Sequence, residues 1–282
     1  MSSQLKWSII KRFLSKNSFG FSFQDVVRDF PGKDPSLLAR TLTDMVGRGM
    51  LSKITRDTYL IIPPQADPET YVPDGLQVAK YIMRNKEYYI GYGSALKIHG
   101  LTLQINETTS HSEAGVSEDR DYVVTNKQIK PAIRTFRGIT YQFIKHHTTR
   151  FFGFDNMWIN QYEQVMISDL EKTIVDSVTY PRFCGGIGEV GKALFQSKNR
   201  TDQDKLFYYL ARQMNKSAKK RFLFLTDLLG LEWTIEHERM MKELGTGISL
   251  LDSAGLDQGP IRRRFGLKIN VDPNELKNKI LR

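Results

Sequence analysis

The stretch from Asp34 to Ile62, DPSLLARTLTDMVGRGMLSKITRDTYLII, leaves few folds open to the chain that carries it. Asp34 suits the N-cap of a helix and Pro35 its first position. Leu38, Thr41, Leu42 and Met45 then recur at i, i+3, i+4 and i+7, which makes one buried face. Ser36, Arg40, Thr43 and Gly47 recur at helical spacing on the opposite side. That stripe is small and polar around one arginine, so it can enter a DNA groove without steric cost. Gly47 and Gly49 stop the helix. From Leu51 to Ile62 the pattern changes towards a β-hairpin rich in Thr, Ile and Tyr, with Arg56-Asp57 at its tip. A helix, a glycine stop and a hairpin carrying Lys53 and Arg56 is the layout of a recognition helix and wing. The segment predicts a winged-helix DNA-binding domain.

The residues before it complete that domain. Residues 5–16 predict a first helix, with Ile9, Ile10, Phe13 and Leu14 on one side. Ser22 predicts the cap of a second, in which Phe23, Val26, Val27 and Phe30 repeat with helical spacing. Pro31-Gly32 predicts the turn into the third. Residues 1–62 hold five Lys, five Arg and five Asp, a net of 10 − 5 = +5. Four of the ten prolines, Pro63, Pro64, Pro68 and Pro73, then fall in the next dozen residues, so 63–74 predicts an extended linker. Residues 75–282 are expected to form a larger mixed domain, which makes the whole chain α+β. Helices are predicted over 75–84, from Ser94 to Gly100, from a Ser168-Asp-Leu-Glu171 capping box to Pro181, and over 189–197, 203–215 and 218–229. Strands are predicted over 121–125 and 138–145, and a last one near 266–270. The acidic stretch 106–121 reads as an exposed loop.

The chain of 282 residues carries a net charge of +10 and a pI near 9.5, which favours a polyanionic partner. One cysteine, Cys184, excludes an internal disulfide and fits a reducing compartment. Met1 to Lys16 is broken by charge and lacks the apolar core of a signal peptide, and no apolar run is long enough to span a bilayer. A cytoplasmic location is expected.

Chemistry is harder to find. Gly93-Ser94 followed by Asp119-Arg120-Asp121 faintly resembles a nucleotidyltransferase, in which a Gly-Ser loop holds phosphate and two carboxylates bind magnesium. The separation is long, however, and Arg120 would compete with the metal. Asp169, Glu171 and Asp176 suggest a nuclease, but Glu171 is explained by capping, and Lys172 can join Asp169 and Asp176 in a solvated salt-bridge row. The histidines show no ligand spacing, Cys184 lacks a catalytic framework, and no Walker or Rossmann loop occurs. No catalytic residue, metal or cofactor is expected.

The order of winged helix, proline-rich segment, YYIGYGSALKIHGL (88–101) and SDLEKTIVD (168–176) resembles the AbiEi-type antitoxins of type IV toxin–antitoxin, or abortive-infection, operons. The resemblance covers roughly residues 5–230 and leaves out the tail after Leu231. It implies that the winged helix represses its own promoter by binding inverted repeats in double-stranded DNA. It further implies that the C-terminal domain counteracts a nucleotidyltransferase-like toxin. On the DNA side, Ser36, Arg40 and Thr43 would face base edges, and Lys33, Lys53 and Arg56 would hold phosphates or reach the minor groove. Two basic segments offer surfaces for the toxin or for the RNA it modifies. Residues 127–150 carry six basic residues and no acidic one, among them Lys127, Lys130, Arg134 and Arg137. Residues 192–222 carry nine against two, a net of +7, including Lys192, Lys219, Lys220 and Arg221. The alternatives are a DNA-binding regulator unrelated to any toxin and, last, a DNA-targeted nucleotidyltransferase or nuclease.

Overall fold

The computed structural model describes residues 2–102, 120–231 and 235–281. Its architecture is mixed α+β, as expected. The chain divides into two compact units. The first comprises Met1–Tyr88, Ile133–Tyr141 and Asn156–Val165, and the second Tyr89–Ala132, Gln142–Asp155 and Met166–Arg282.

Unit 1 begins with α1 (Ser2–Leu14), β1 (Gly20–Ser22), α2 (Phe23–Asp29), α3 (Pro35–Gly47), β2 (Leu51–Lys53) and β3 (Thr58–Ile61). Strand β3 lies between β1 and β2, antiparallel to both, with Phe21 opposite Tyr59 and Ser52 opposite Leu60. This is the helix and strand order of a winged helix. The sequence gives no hint of β1, because three residues carry no readable alternation and only pairing with β3 makes them a strand. Behind α3, Leu38, Leu42 and Met45 pack with Ile9, Phe13, Phe21, Val26 and Leu51. Each such side chain contributes about 1.5–3 kcal/mol on burial. The helix starts are fixed as expected. Ser22 accepts from Asp25 N while the Asp25 carboxylate accepts from Ser22 N, and Asp34 accepts from Leu37 N at 3.0 Å. Past the end of α3, Gly49 has φ 69° and the Pro68 ring lies against its Cα, so both conformation and space demand glycine.

The proline-rich stretch 63–74 lies inside unit 1. Arg137 clasps it, donating from Nη1 to the carbonyls of Pro68 and Tyr71 at 2.8 Å, and from Nε to Ser52 Oγ at 3.1 Å. Helix α4 (Gly75–Ile82) follows, capped by Asp74. From the Asn156–Val165 segment comes Glu163, whose buried carboxylate accepts from Tyr81 Oη at 2.6 Å and from Gln77 Nε2, with Lys80 at 3.3 Å. Unit 1 thus runs beyond the boundary expected at 62–75 and takes residues from the stretch assigned to the second domain. Pairings 82 residues apart, such as Tyr81 with Glu163, leave no local pattern to read.

A six-stranded sheet has the order β6-β7-β5-β4-β9-β8, with β4 (Tyr88–Ile90), β5 (Arg120–Thr125), β6 (Ile133–Phe136), β7 (Ile139–Lys145), β8 (Phe154–Trp158) and β9 (Gln164–Ser168). Ile90 and Ile167 pair in parallel.

Unit 2 surrounds α6 (Leu170–Thr179) with α5 (Tyr92–Ile98), α7 (Ile187–Ser197), α8 (Gln203–Arg212) and α9 (Lys216–Leu229). Every residue of α6 from Glu171 to Thr179 is buried. Beyond lie α10 (Ile235–Lys242), α11 (Pro273–Leu281) and a small sheet. In that sheet β12 (Leu267–Lys268), the strand expected in the tail, runs parallel to β10 (Ser249–Leu250) and antiparallel to β11 (Ile261–Arg262).

Three local expectations change. The α6 cap is Asp169, which accepts from Lys172 N at 2.8 Å, and not Ser168, whose Oγ meets Thr173 Oγ1 at 2.7 Å. Glu171, expected to close a capping box, instead accepts from Asp202 N and pairs with Lys205 at 2.9 Å. Helix α5 starts at Tyr92 rather than Ser94, and Ser94 Oγ accepts from Tyr122 N and donates to Asp121, both at 3.0 Å. Among the described residues no helix is long and apolar enough to cross a membrane.

Candidate nucleic-acid interface

Helix α3 presents the two faces its spacing predicts. Leu38, Leu42 and Met45 are wholly buried, and Thr41 is buried with its hydroxyl turned back to Leu37 O at 2.8 Å. Ser36, Arg40, Thr43 and Gly47 are exposed along the other side. Lys33 precedes the helix, Lys53 ends β2, and Arg56 lies in the turn to β3, all exposed. Leu37, which sequence reasoning passed over, is 47% exposed beside Ser36. Its place at helical offset from the buried leucines was the available signal.

The charges divide into two groups. Three carboxylates on this part of unit 1 are matched by cations outside the predicted set, while Asp34 caps α3 and Asp57 accepts from Thr55 and Thr58. Asp44 binds Lys6 and Arg48, the latter at 3.0 Å. Asp29 binds Lys16 and Arg12, and Asp25 binds Arg28 at 2.7 Å. Hydrogen bonds from Lys6 and then Arg48 hold the Asp44 carboxyl below its ordinary range, and Lys16 and Arg12 do the same for Asp29. By contrast, Lys33, Arg40, Lys53 and Arg56 make no ion pair among the described residues. Four cations around a small polar stripe, with no ion pair of their own among the described residues, give a positive surface whose side chains break no ion pair when they turn to phosphate.

The second predicted set does not come together as one surface. Lys127 and Lys130 are exposed in unit 2, while Arg134 and Arg137 lie half-buried in unit 1. Arg137 is spent on the clasp described above. Lys192 pairs with Glu189 at 3.1 Å, and Lys219 lies 3.7 Å from Glu243. Lys220 and Arg221, expected on the surface, are buried. Lys220 donates to Gly247 O, and Arg221 donates to the carbonyls of Val178, Thr179, Leu250 and Leu251. The α9 side that carries them faces the 247–251 segment, so these two cations satisfy backbone acceptors.

The faint nucleotidyltransferase pattern is partly assembled, because Ser94 and Asp121 do meet. The long sequence separation was a poor argument against it: β5 brings Asp121 back beside α5. Arg120, however, donates to Gln142 at 2.8 Å, and Asp119 lies outside the described residues. Among the described residues, no three His, Cys, Asp or Glu are grouped to hold a metal ion.

Sequence reasoning missed a buried polar cluster in unit 2. Lys172 and Asp176, expected in a solvated row, form a fully buried ion pair at 2.7 Å. Lys172 also donates to Arg150 O and Gln213 Oε1, and its ammonium lies 4.3 Å from the Phe152 ring centre. Tyr89 donates to Asp176 at 2.8 Å, so its oxygen can only accept from His146 Nδ1–H. Nε2 of His146 is then the acceptor for Tyr92, at 2.7 Å. Burial, aided by Lys172 against the pull of Asp176, lowers the His146 pKa and keeps the imidazole neutral, as this chain of bonds requires. Nearby Cys184 donates to Ser177, and burial pushes its thiol up to about 12, which makes it unreactive. The available signal was Thr173, Ser177 and Thr179: short side chains on the polar side of a helix imply close neighbours there, not solvent.

No family model and no curated protein matches the sequence. Among solved structures, the chain is similar to the crystal structure of the RV2827C protein from Mycobacterium tuberculosis. The match has 14% identity and a TM-score of 0.59, and covers 97% of this chain and 92% of that one. At that identity the likeness is one of fold.

Proposed function

We propose that the protein is a DNA-binding repressor that reads inverted repeats in duplex DNA through α3 and the β2–β3 wing. The observation that carries this reading is the exposed Ser36–Arg40–Thr43–Gly47 stripe, flanked by Lys33, Lys53 and Arg56 with no ion pair among the described residues. Arg40, at the centre of the stripe, donates a pair of hydrogen bonds to guanine O6 and N7 in the major groove. Ser36 and Thr43 are short enough to let the helix backbone approach, and the three lysine and arginine flanks hold phosphates.

From the resemblance of residues 88–101 and 168–176 to AbiEi-type antitoxins, we further propose that the DNA is the operator of its own type IV operon. On that reading, unit 2 counteracts a nucleotidyltransferase-like toxin. The buried positions of Lys220 and Arg221 restrict any docking surface there to other residues, with Lys127 and Lys130 the exposed members of the expected set.

Gel-shift titration of the full chain on duplex from its own upstream region, at two salt concentrations, tests the repressor reading. Lys53→Ala should weaken binding to all sequences alike and reduce the salt slope by about one unit. Wild-type binding that shows neither salt dependence nor sequence preference would overturn it. Co-expression with the product of the adjacent gene tests the antitoxin reading, which fails if the full chain does not restore growth.

A further inference from the structure

Unit 1 contains a groove of about 840 Å³ that the proposed DNA contact does not use. Its apolar lining comes from Trp7 and Ile10 of α1, from Met50 and Ile62 on either side of the hairpin, and from the prolines at 63, 64 and 68. Trp7 is 46% exposed on this wall, which leaves part of its indole open to the groove. The polar groups are few, and two are cationic, Lys6 and Arg48. Both end on one carboxylate, Asp44 of α3. A concave apolar site of a few hundred Å³ with a small number of convergent polar groups is the usual form of a small-molecule pocket.

We propose that this groove binds a small amphipathic anion, an aromatic or aliphatic carboxylate, and that its occupancy weakens DNA binding. The apolar part of the ligand lies on Trp7, Met50 and the prolines, and its carboxylate takes Lys6 and Arg48 from Asp44. Charge decides the class: Lys6 and Arg48 bring two positive charges against the single carboxylate of Asp44, and no acid lines the groove itself, so an anion is matched and a cation is repelled. Asp44 follows Arg40 by one helical turn and its side chain is 42% exposed. Stripped of its two cations, it becomes an unneutralised negative charge beside the surface proposed to meet phosphate, and DNA is repelled. The coupling is reciprocal, so DNA in turn lowers affinity for the anion. The binding site stands on the groove alone; the effect on DNA rests on the repressor reading.

Calorimetric titration of the full chain with 2-naphthoate, and with the neutral 2-naphthamide as its control, tests the site without DNA. Saturable binding of naphthoate is expected, weakened by about tenfold in Trp7→Ser, with an unfolding transition of that variant recorded alongside to show that it is folded. Arg48→Gln should weaken naphthoate by about tenfold and leave naphthamide unchanged. No saturable binding up to about 1 mM, or equal affinity for the two compounds in wild type, overturns the site. In gel shifts on random-sequence duplex enriched by the wild-type protein, naphthoate should lower wild-type affinity severalfold and leave Asp44→Asn unaffected. If naphthoate binds but DNA affinity does not move, the coupling is refuted while the groove stands. If no duplex is enriched at all, the repressor reading fails, and the calorimetric result is untouched.

Discussion

Helices α3 and α6 carry much the same alphabet and come to opposite ends. Each begins with an aspartate cap, buries an apolar row at helical spacing, and sets a cation and hydroxyl residues on the remaining face. In α3 that face is open, and Arg40 stands unpaired among the described residues. In α6 the same kind of face is closed over. Lys172 and Asp176 are sealed with each other, with Tyr89, and with carbonyl and amide oxygens. Polar spacing on a helix therefore does not distinguish a binding surface from an interior network. What distinguishes them is whether other elements arrive to cover it, and in unit 2 four helices do.

The sharpest test of this contrast removes one charge from each helix. Lys172→Met leaves Asp176 ionised and uncompensated in the interior, and should cost about 3–5 kcal/mol in denaturant unfolding. The pair Lys172→Met with Asp176→Leu should recover much of that loss, because burying no charge at all is cheaper than burying one. A cost for Lys172→Met near zero would mean that the α6 face is wet. On the apolar side of α3, Leu42→Ala should cost about 2–5 kcal/mol by opening a cavity between Ile9 and Met45, measurable by the same unfolding assay. Arg40→Ala should leave stability within about 0.5 kcal/mol while costing about 1–3 kcal/mol in DNA affinity and relaxing preference at one base pair. If that substitution destabilises the fold as Lys172→Met does, the two faces are not different in kind.

The smallest effect is a pH slope. The folded protein holds His146 below its unfolded pKa of 6.5, so the unfolded chain binds the proton first. Stability should be at its full value above about pH 6.5 and be lost as pH falls from there towards the folded value, levelling off beneath it. His237 is shifted in the same direction by burial, so the wild-type profile alone is ambiguous. A shallower acid slope in His146→Gln isolates the unit 2 network, and an unchanged slope removes His146 from it.

The same contrast explains how far the sequence could be read. Features set by neighbours in the chain were legible: the caps at Ser22 and Asp34, the buried row from Leu38 to Met45, and the hairpin with Arg56 in its turn. Features set by distant partners were not. Strand β1 exists through β3, and Lys220 and Arg221 are spent on carbonyls some thirty residues away, between Gly247 and Leu251. Ser168 looked like a cap by its spacing to Glu171, yet Lys205 and Asp202 had the stronger claim on that glutamate. The candidate interface was the more legible region because its residues have few partners, and few partners means little for the rest of the chain to override.

Glu163, Arg137 and the segments that hold them place a condition on how unit 1 comes into being. A ribosome that has released only residues 1–88 has made every helix and strand of the winged helix, but neither the carboxylate that Tyr81 and Gln77 await nor the guanidinium that ties down Pro68 and Tyr71. Unit 1, as the structure shows it, is therefore complete only after residue 165 has emerged.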